Sequence, residues 1–241
     1  MVKLSVNVNK IATLRNARGG ENPNVVHAAQ TCIDAGCHGI TVHPRPDGRH
    51  IRHQDVLDLA NMLTVEFNLE GYPSPEFLDL VCHVTPTQCT LVPDPPDVLT
   101  SNAGWNLRTN VRWLNEVLKR LHAHGIRTSL FLDPDPDQVR RAKEVGTDRI
   151  ELYTAHYARM FGTPERAQVF DRYYQAALAA QDVGLGLNAG HDLNLDNLPY
   201  FAQHLPGLLE VSIGHALICD ALYMGLSQAV KAYLRALEYK A

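Results

Sequence analysis

The chain has 241 residues, 45% hydrophobic and 20% charged, enough apolar side chains for a full core. Lys and Arg number 22 against 26 Asp and Glu, and the resulting net charge of -4 gives no general attraction to nucleic acid or an anionic membrane. No apolar run nears the roughly 20 residues that cross a bilayer, and the Met1–Val6 start reads as a strand rather than a signal peptide.

Eight short apolar runs follow one another, each trailed by a polar or glycine-rich loop and an amphipathic stretch. The predicted strands are Leu4–Val8, Gly39–Val42, Glu66–Leu69, Cys89–Val92, Thr128–Leu132, Arg149–Leu152, Gly186–Asn188 and Leu209–Ile213. Between them, Thr109–His124 places Val111, Leu114, Val117, Leu118 and Leu121 on one face at spacings of three and four. Ala216–Leu237 is predicted as one helix on the same grounds, with Leu217, Ala221, Leu222, Ala229, Val230, Leu234 and Leu237 on its buried face. Gly36, Gly125, Gly146 and Gly184 stand where helices should stop. Units of about 30 residues are the size of a βαβ repeat, whose strands must be parallel. A count of eight predicts a closed (β/α)8 TIM barrel in a single domain, 1–241, with small extra helical segments. An open doubly wound sheet is the structural alternative, but no G-x-G-x-x-G follows the first strand. The five cysteines lack a C-x-x-C pair and read as reduced thiols, which with the missing leader predicts a cytoplasmic chain.

Chemistry in such a barrel belongs at the C-terminal strand ends. Asn7–Arg18, after strand one, carries three cationic residues and three asparagines, and reads as an anion site or a solvated loop. After strand two, His43, Arg45, Arg49 and His50 crowd a proline-stiffened loop, the composition of a phosphate or carboxylate clamp. His43 also has the pKa range for proton exchange near neutrality. A zinc reading of His43, His50 and His53 lacks a motif such as H-E-x-x-H. Glu70, ending strand three, is either a desolvated general base or a carboxylate paired with Arg45. The long loop 93–105 has the length of a lid. Strand six ends at Glu151–Thr154. Strands seven and eight end in Gly190-His191-Asp192 and Gly214-His215, and the second opens into a helix, the usual place for phosphate in this fold.

Taken in order, Ile11–Gly19, Gly39–His43, Arg49–Ile51, Asn68–Glu70, Leu91–Pro93, Asn188–His191 and Ile213–Ala216 resemble the pyridoxine 5'-phosphate synthase family along essentially the whole chain. The resemblance implies a barrel, usually octameric, without metal or organic cofactor. It implies condensation of 3-amino-2-oxopropyl phosphate with 1-deoxy-D-xylulose 5-phosphate to pyridoxine 5'-phosphate, phosphate and water. By the same resemblance His43 and Glu70 accept protons and His191 donates one. Arg45, His50 and Thr100 contact the deoxyxylulose phosphate, as do the positions of Asn9 and Lys10, where the family usually has Asp-His. Asn7, Arg18 and Gly214-His215 contact the aminooxopropyl phosphate, together with the position of Asp192, usually Gly. Further departures are Pro44, Pro46 and Gly48.

Three competing readings are a zinc barrel cleaving β-keto acids, a phosphosugar isomerase or Schiff-base aldolase, and a phosphosugar binder without turnover. Metal analysis separates the first. The aldolase needs a strand-end lysine, for which Lys10 is the candidate. Several proton carriers argue against mere binding.

Overall fold

The computed structural model describes residues 1–93, 103–109 and 111–238. Eight parallel strands close in sequence order into a barrel. They are β1 (Lys3–Asn7), β2 (Gly39–Val42), β3 (Glu66–Gly71), β4 (Gln88–Leu91), β5 (Arg127–Leu132), β6 (Arg149–Tyr153), β7 (Gly186–Gly190) and β8 (Leu208–Ile213). Closure is through β1 and β8, with Ser5 beside Ser212 and Val6 beside Ile213. All eight predicted strands are present, shifted at their ends by a residue or two. The helices are α1 (Asn9–Asn16), α2 (Val25–Asp34), α3 (His53–Met62), α4 (Pro75–Val84), α5 (Val111–Ala123), α6 (Pro136–Val145), α7 (Ala155–Met160), α8 (Arg166–Asp182), α9 (Leu198–His204), α10 (His215–Met224) and α11 (Leu226–Glu238). Three of them, α1, α7 and α10, start within two residues of the ends of β1, β6 and β8. These are the extra helical segments, and they shape the mouth.

Period-two alternation explains the layers. Leu4, Val6, Ile40, Val42, Leu69, Leu91, Leu130, Leu152, Val211 and Ile213 are fully buried and join the hydrophobic core under the helices. The alternate residues are mostly polar, with Phe131 and a few glycines among them. Ser5 and Thr41 hydroxyls are 2.7 Å apart, Thr90 donates to Asn68 Oδ1 at 3.0 Å, and Asn188 Nδ2 reaches both Gln88 and Glu210. Contact between β4 and β7 side chains is possible only across the lumen, so the barrel is filled by a hydrogen-bonded column rather than by branched aliphatics. At the N-terminal end, Glu66 takes Lys3 and Arg127, closing the column with charge.

The single helix predicted over Ala216–Leu237 is instead α10 and α11. Gly225, with φ 82° and ψ 147°, breaks the run. Its consequence is that Leu222, predicted as core, is 69% exposed, while Ala229, Val230 and Tyr233 bury the face of α11. The four glycines expected to stop helices all have positive φ, and Gly146 caps α6 by donating to Ala142 and Lys143 carbonyls.

Candidate active site

A cavity of about 600 Å³ opens at the C-terminal end of the strands. Its walls bring together ten of the predicted residues: Asn7, Asn9, Lys10, Arg45, His50, Glu70, His191, Asp192, Gly214 and His215. His43 lies at its border. It lines an adjoining cavity of about 410 Å³ that shares Arg45, and its ring centroid is 6.2 Å from that of His50. Arg18 is not at the cavity wall; it is exposed in the turn after α1. Thr100 and most of the predicted lid lie outside the described residues.

Helix α1 builds the cationic rim from behind. Arg15, 2% exposed, donates to both oxygens of buried Asp55, at 2.5 and 2.8 Å, and to the His50 carbonyl at 3.0 Å. Asn16 Nδ2 donates to the Gly48 and His50 carbonyls at 3.1 and 2.8 Å. Asp55 also accepts from Arg52 N–H, capping α3. Loop 43–52 is thereby held through its carbonyls, with Arg45, Arg49 and His50 at the cavity wall. His50 Nδ1 accepts from Ile51 N–H at 2.9 Å, which assigns the proton of the neutral ring to Nε2, a donor available to an anion. Asn9 does more than the sequence indicates: its Oδ1 accepts from His43 N–H at 2.9 Å and so places that residue.

The floor is acidic. Asn7 Nδ2 and Ser212 Oγ donate to the two oxygens of Glu70 at 3.4 and 3.5 Å. Burial pushes the Glu70 carboxyl up to about 7, with Glu210 raising it further and Ser212 and Arg45 pulling it down. Glu151, one layer round on β6, also lines the cavity, and burial with the charges of Glu70 and Glu210 holds it well above the usual carboxylate range. Each of these neighbouring acids disfavours ionisation of the other. His43 is pushed the other way, well below the usual imidazole range, by burial and then by Arg45, His50, His191 and Arg49. It is a neutral ring, with one nitrogen free of a proton. Burial and the charges of Arg45, Lys10 and Arg49 lower His50 to about 4.

On the β7–β8 side, His191 stacks edge-on to Tyr153 at 5.2 Å and tilts against Phe131 at 5.9 Å. Gly214 precedes α10 without a side-chain cap, and a Cβ there would press on Asn7 Cβ at 3.1 Å. The bare helix start therefore sits tight against β1, with its first-turn amides and His215 at the cavity. Among the described residues no group of three or more His, Cys, Asp or Glu side chains can hold a metal ion.

Sequence reasoning missed Glu151, Tyr153, Ser212 and Thr13 as cavity residues, while Arg49, read as part of the strand-two clamp, does line the cavity. Parity was the available signal for two of them. Glu151 shares the strand face of Arg149, and Ser212 that of Glu210, both polar inside an apolar run.

Such a mouth defines a class: a (β/α)8 barrel equipped for acid–base chemistry on anionic substrates. The family described as pyridoxal phosphate biosynthesis protein PdxJ matches residues 4–239. A pyridoxine 5'-phosphate synthase of Porphyromonas gingivalis is 57% identical over 233 residues, 97% of this chain and 98% of the relative. That of Flavobacterium johnsoniae is 52% identical over 238 residues, 99% of this chain and 100% of the relative. Among solved structures, a phosphoribosyl anthranilate isomerase superposes with TM-score 0.62 at 13% identity, covering 99% of both chains. A Mycobacterium tuberculosis tryptophan synthase chain does so at 0.65 and 13%, covering 99% of this chain and 93% of that one. These two likenesses show the shared fold alone. The chain belongs to the PdxJ family.

Proposed function

We propose that this barrel is a pyridoxine 5'-phosphate synthase, condensing 3-amino-2-oxopropyl phosphate with 1-deoxy-D-xylulose 5-phosphate to pyridoxine 5'-phosphate, phosphate and water. The carrying observation is geometric: Glu70, Glu151 and His191 share one cavity with Lys10, Arg45 and His50 on one side and the uncapped start of α10 on the other, and His43 stands at its border. Imine formation, C–H proton loss, expulsion of water and phosphate, and ring closure move protons at different atoms, so several carriers are needed. His43 and Glu70 accept protons and His191 donates one. Lys10, Arg45 and His50, with Asn9 and Thr100, hold the deoxyxylulose phosphate. Asn7, Asp192 and Gly214-His215 hold the aminooxopropyl phosphate, while Arg18, exposed and away from the cavity wall, is assigned no contact. No metal or organic cofactor is required by this scheme. The test is incubation with both phosphates, each omitted in turn, and chromatographic detection of pyridoxine 5'-phosphate; the reading fails if no product forms.

In the same reading the chain is one cytoplasmic domain that self-associates as a homo-octamer. Its cysteines are free, no described helix is long and apolar enough to cross a membrane, and Leu14, Leu222, Tyr223 and Met224 are exposed apolar residues of the kind an interface covers.

Lys10→Met is expected to weaken binding of deoxyxylulose phosphate selectively, by about 1.5–3 kcal/mol, the range of a charge-assisted hydrogen bond. The motivation is its place on the cavity wall, close enough to His50 to lower that ring's pKa. Affinity for the aminooxopropyl phosphate should hardly change. Titration calorimetry of each phosphate checks this; equal binding of both by wild type and variant returns Lys10 to the solvated surface.

Because Glu70 must be a carboxylate to accept a proton, turnover should fall as pH drops through about 7. Ser212→Ala removes a hydrogen bond that favours the charged form, so the acid limb should move to higher pH. A limb that stays in place would detach Glu70 from the profile.

A further inference from the structure

His191 and Thr85 are the non-glycine residues with positive φ among the described residues. Thr85 merely ends α4, where a left-handed residue is common. His191, at φ 85°, instead follows a strand directly and carries a cavity-lining imidazole. A left-handed backbone at a non-glycine residue is strained and persists only where neighbours impose it.

The neighbour is Thr154. It directly follows β6, is fully buried and is the N-cap of α7. A threonine in that place ordinarily accepts a bond from the helix's first turn. Here the cap bond is not made. The hydroxyl donates across to the Gly190 carbonyl at 2.6 Å, and the Thr154 N–H donates to the same oxygen at 3.2 Å. That carbonyl belongs to the peptide whose nitrogen is His191 N, so two donors fix the plane from which the His191 side chain departs. A side chain at Gly190 would collide with Glu151 Oε1, so this peptide also lies directly over the acidic floor. Downstream, Leu193 N–H donates to the His191 carbonyl at 2.6 Å, and Tyr153 and Phe131 flank the ring.

We propose that Thr154 is a positioning residue for His191: its hydroxyl, withheld from capping α7, clasps the Gly190–His191 peptide so that the imidazole is presented at the angle proton donation needs. The inference rests on the reading of His191 as proton donor. Its energetic logic is a local rule broken at one element to satisfy a geometric demand at another.

Thr154→Val keeps shape and the backbone donor and removes only the hydroxyl bond. It should lower kcat by about 10–10²-fold, the scale of a small misplacement of a reacting group, with KM for both phosphates nearly unchanged. Thr154→Ser should restore most of the rate. In a His191→Asn background, Thr154→Val should lower kcat no further, because the group it positions is gone. Assays are run well below the melting temperature of each folded variant. Near-normal kcat in Thr154→Val, a loss that Ser does not rescue, or a loss that adds in full to that of His191→Asn overturns the clasp. Near-normal kcat in His191→Asn alone is a different failure: it removes the donor role and the proposal with it.

Discussion

Glu70→Gln and His191→Asn are each expected to lower turnover by about 10²–10⁴-fold, the usual contribution of a positioned acid–base group, while both phosphates still bind. Glutamine keeps the volume and one acceptor oxygen for Asn7, and the Ser212 hydroxyl can turn to accept from the new amide N–H, so the packing around position 70 survives. What is lost is a group whose burial brings its pKa to about 7, where it can hold or release a proton at working pH. Asparagine at 191 retains a polar side chain between Tyr153 and Phe131 but cannot donate and regain a proton. The phosphate grips at loop 43–52 and at the start of α10 are untouched, which is why binding should hold. Single-turnover measurements at saturating substrates isolate chemistry from binding. Near-normal turnover in either variant removes that residue's catalytic role.

Arg15→Met should destabilise the fold by about 3–5 kcal/mol, because it strands the Asp55 carboxylate in the interior. Both partners are buried and share two hydrogen bonds. The double variant Arg15→Met/Asp55→Asn should cost less than the single one, since no uncompensated charge remains. Denaturant midpoints at constant m-value give the comparison. The site should feel the same change: without Arg15 and its bond to the His50 carbonyl, the rim that carries Arg45 and His50 loosens. A loss below about 1 kcal/mol in Arg15→Met would place the pair in the class of surface bridges.

The barrel was legible because strand count, unit length and helix-stopping glycines are local signals that tertiary context did not override. Asn7, Glu70, His191 and Gly214 were legible for a related reason: a strand's end in this fold is the mouth, so locating strands locates the site. The α10–α11 break was hidden because an apolar periodicity runs through Gly225 without losing phase, and only the backbone angle there separates the helices. Glu151 and Ser212 were overlooked because each sits before the strand's last residue, inside an otherwise apolar run. The bracing role of Asn9 depends on how β1 and β2 lie side by side, with Asn7 against Thr41, a register that no local pattern encodes. Arg18 reads as an anion contact in the sequence, yet α1 carries it away from the cavity wall to an exposed turn.

The central claim is that these side chains, as proton carriers and anion grips, perform the condensation by themselves. It is tested most directly by treating purified protein exhaustively with chelator, supplying both phosphates, and quantifying pyridoxine 5'-phosphate against inorganic phosphate. The two products are expected to appear together in equal amounts at an undiminished rate. Phosphate released without pyridoxine 5'-phosphate, or turnover abolished by chelation and restored by zinc, would contradict it.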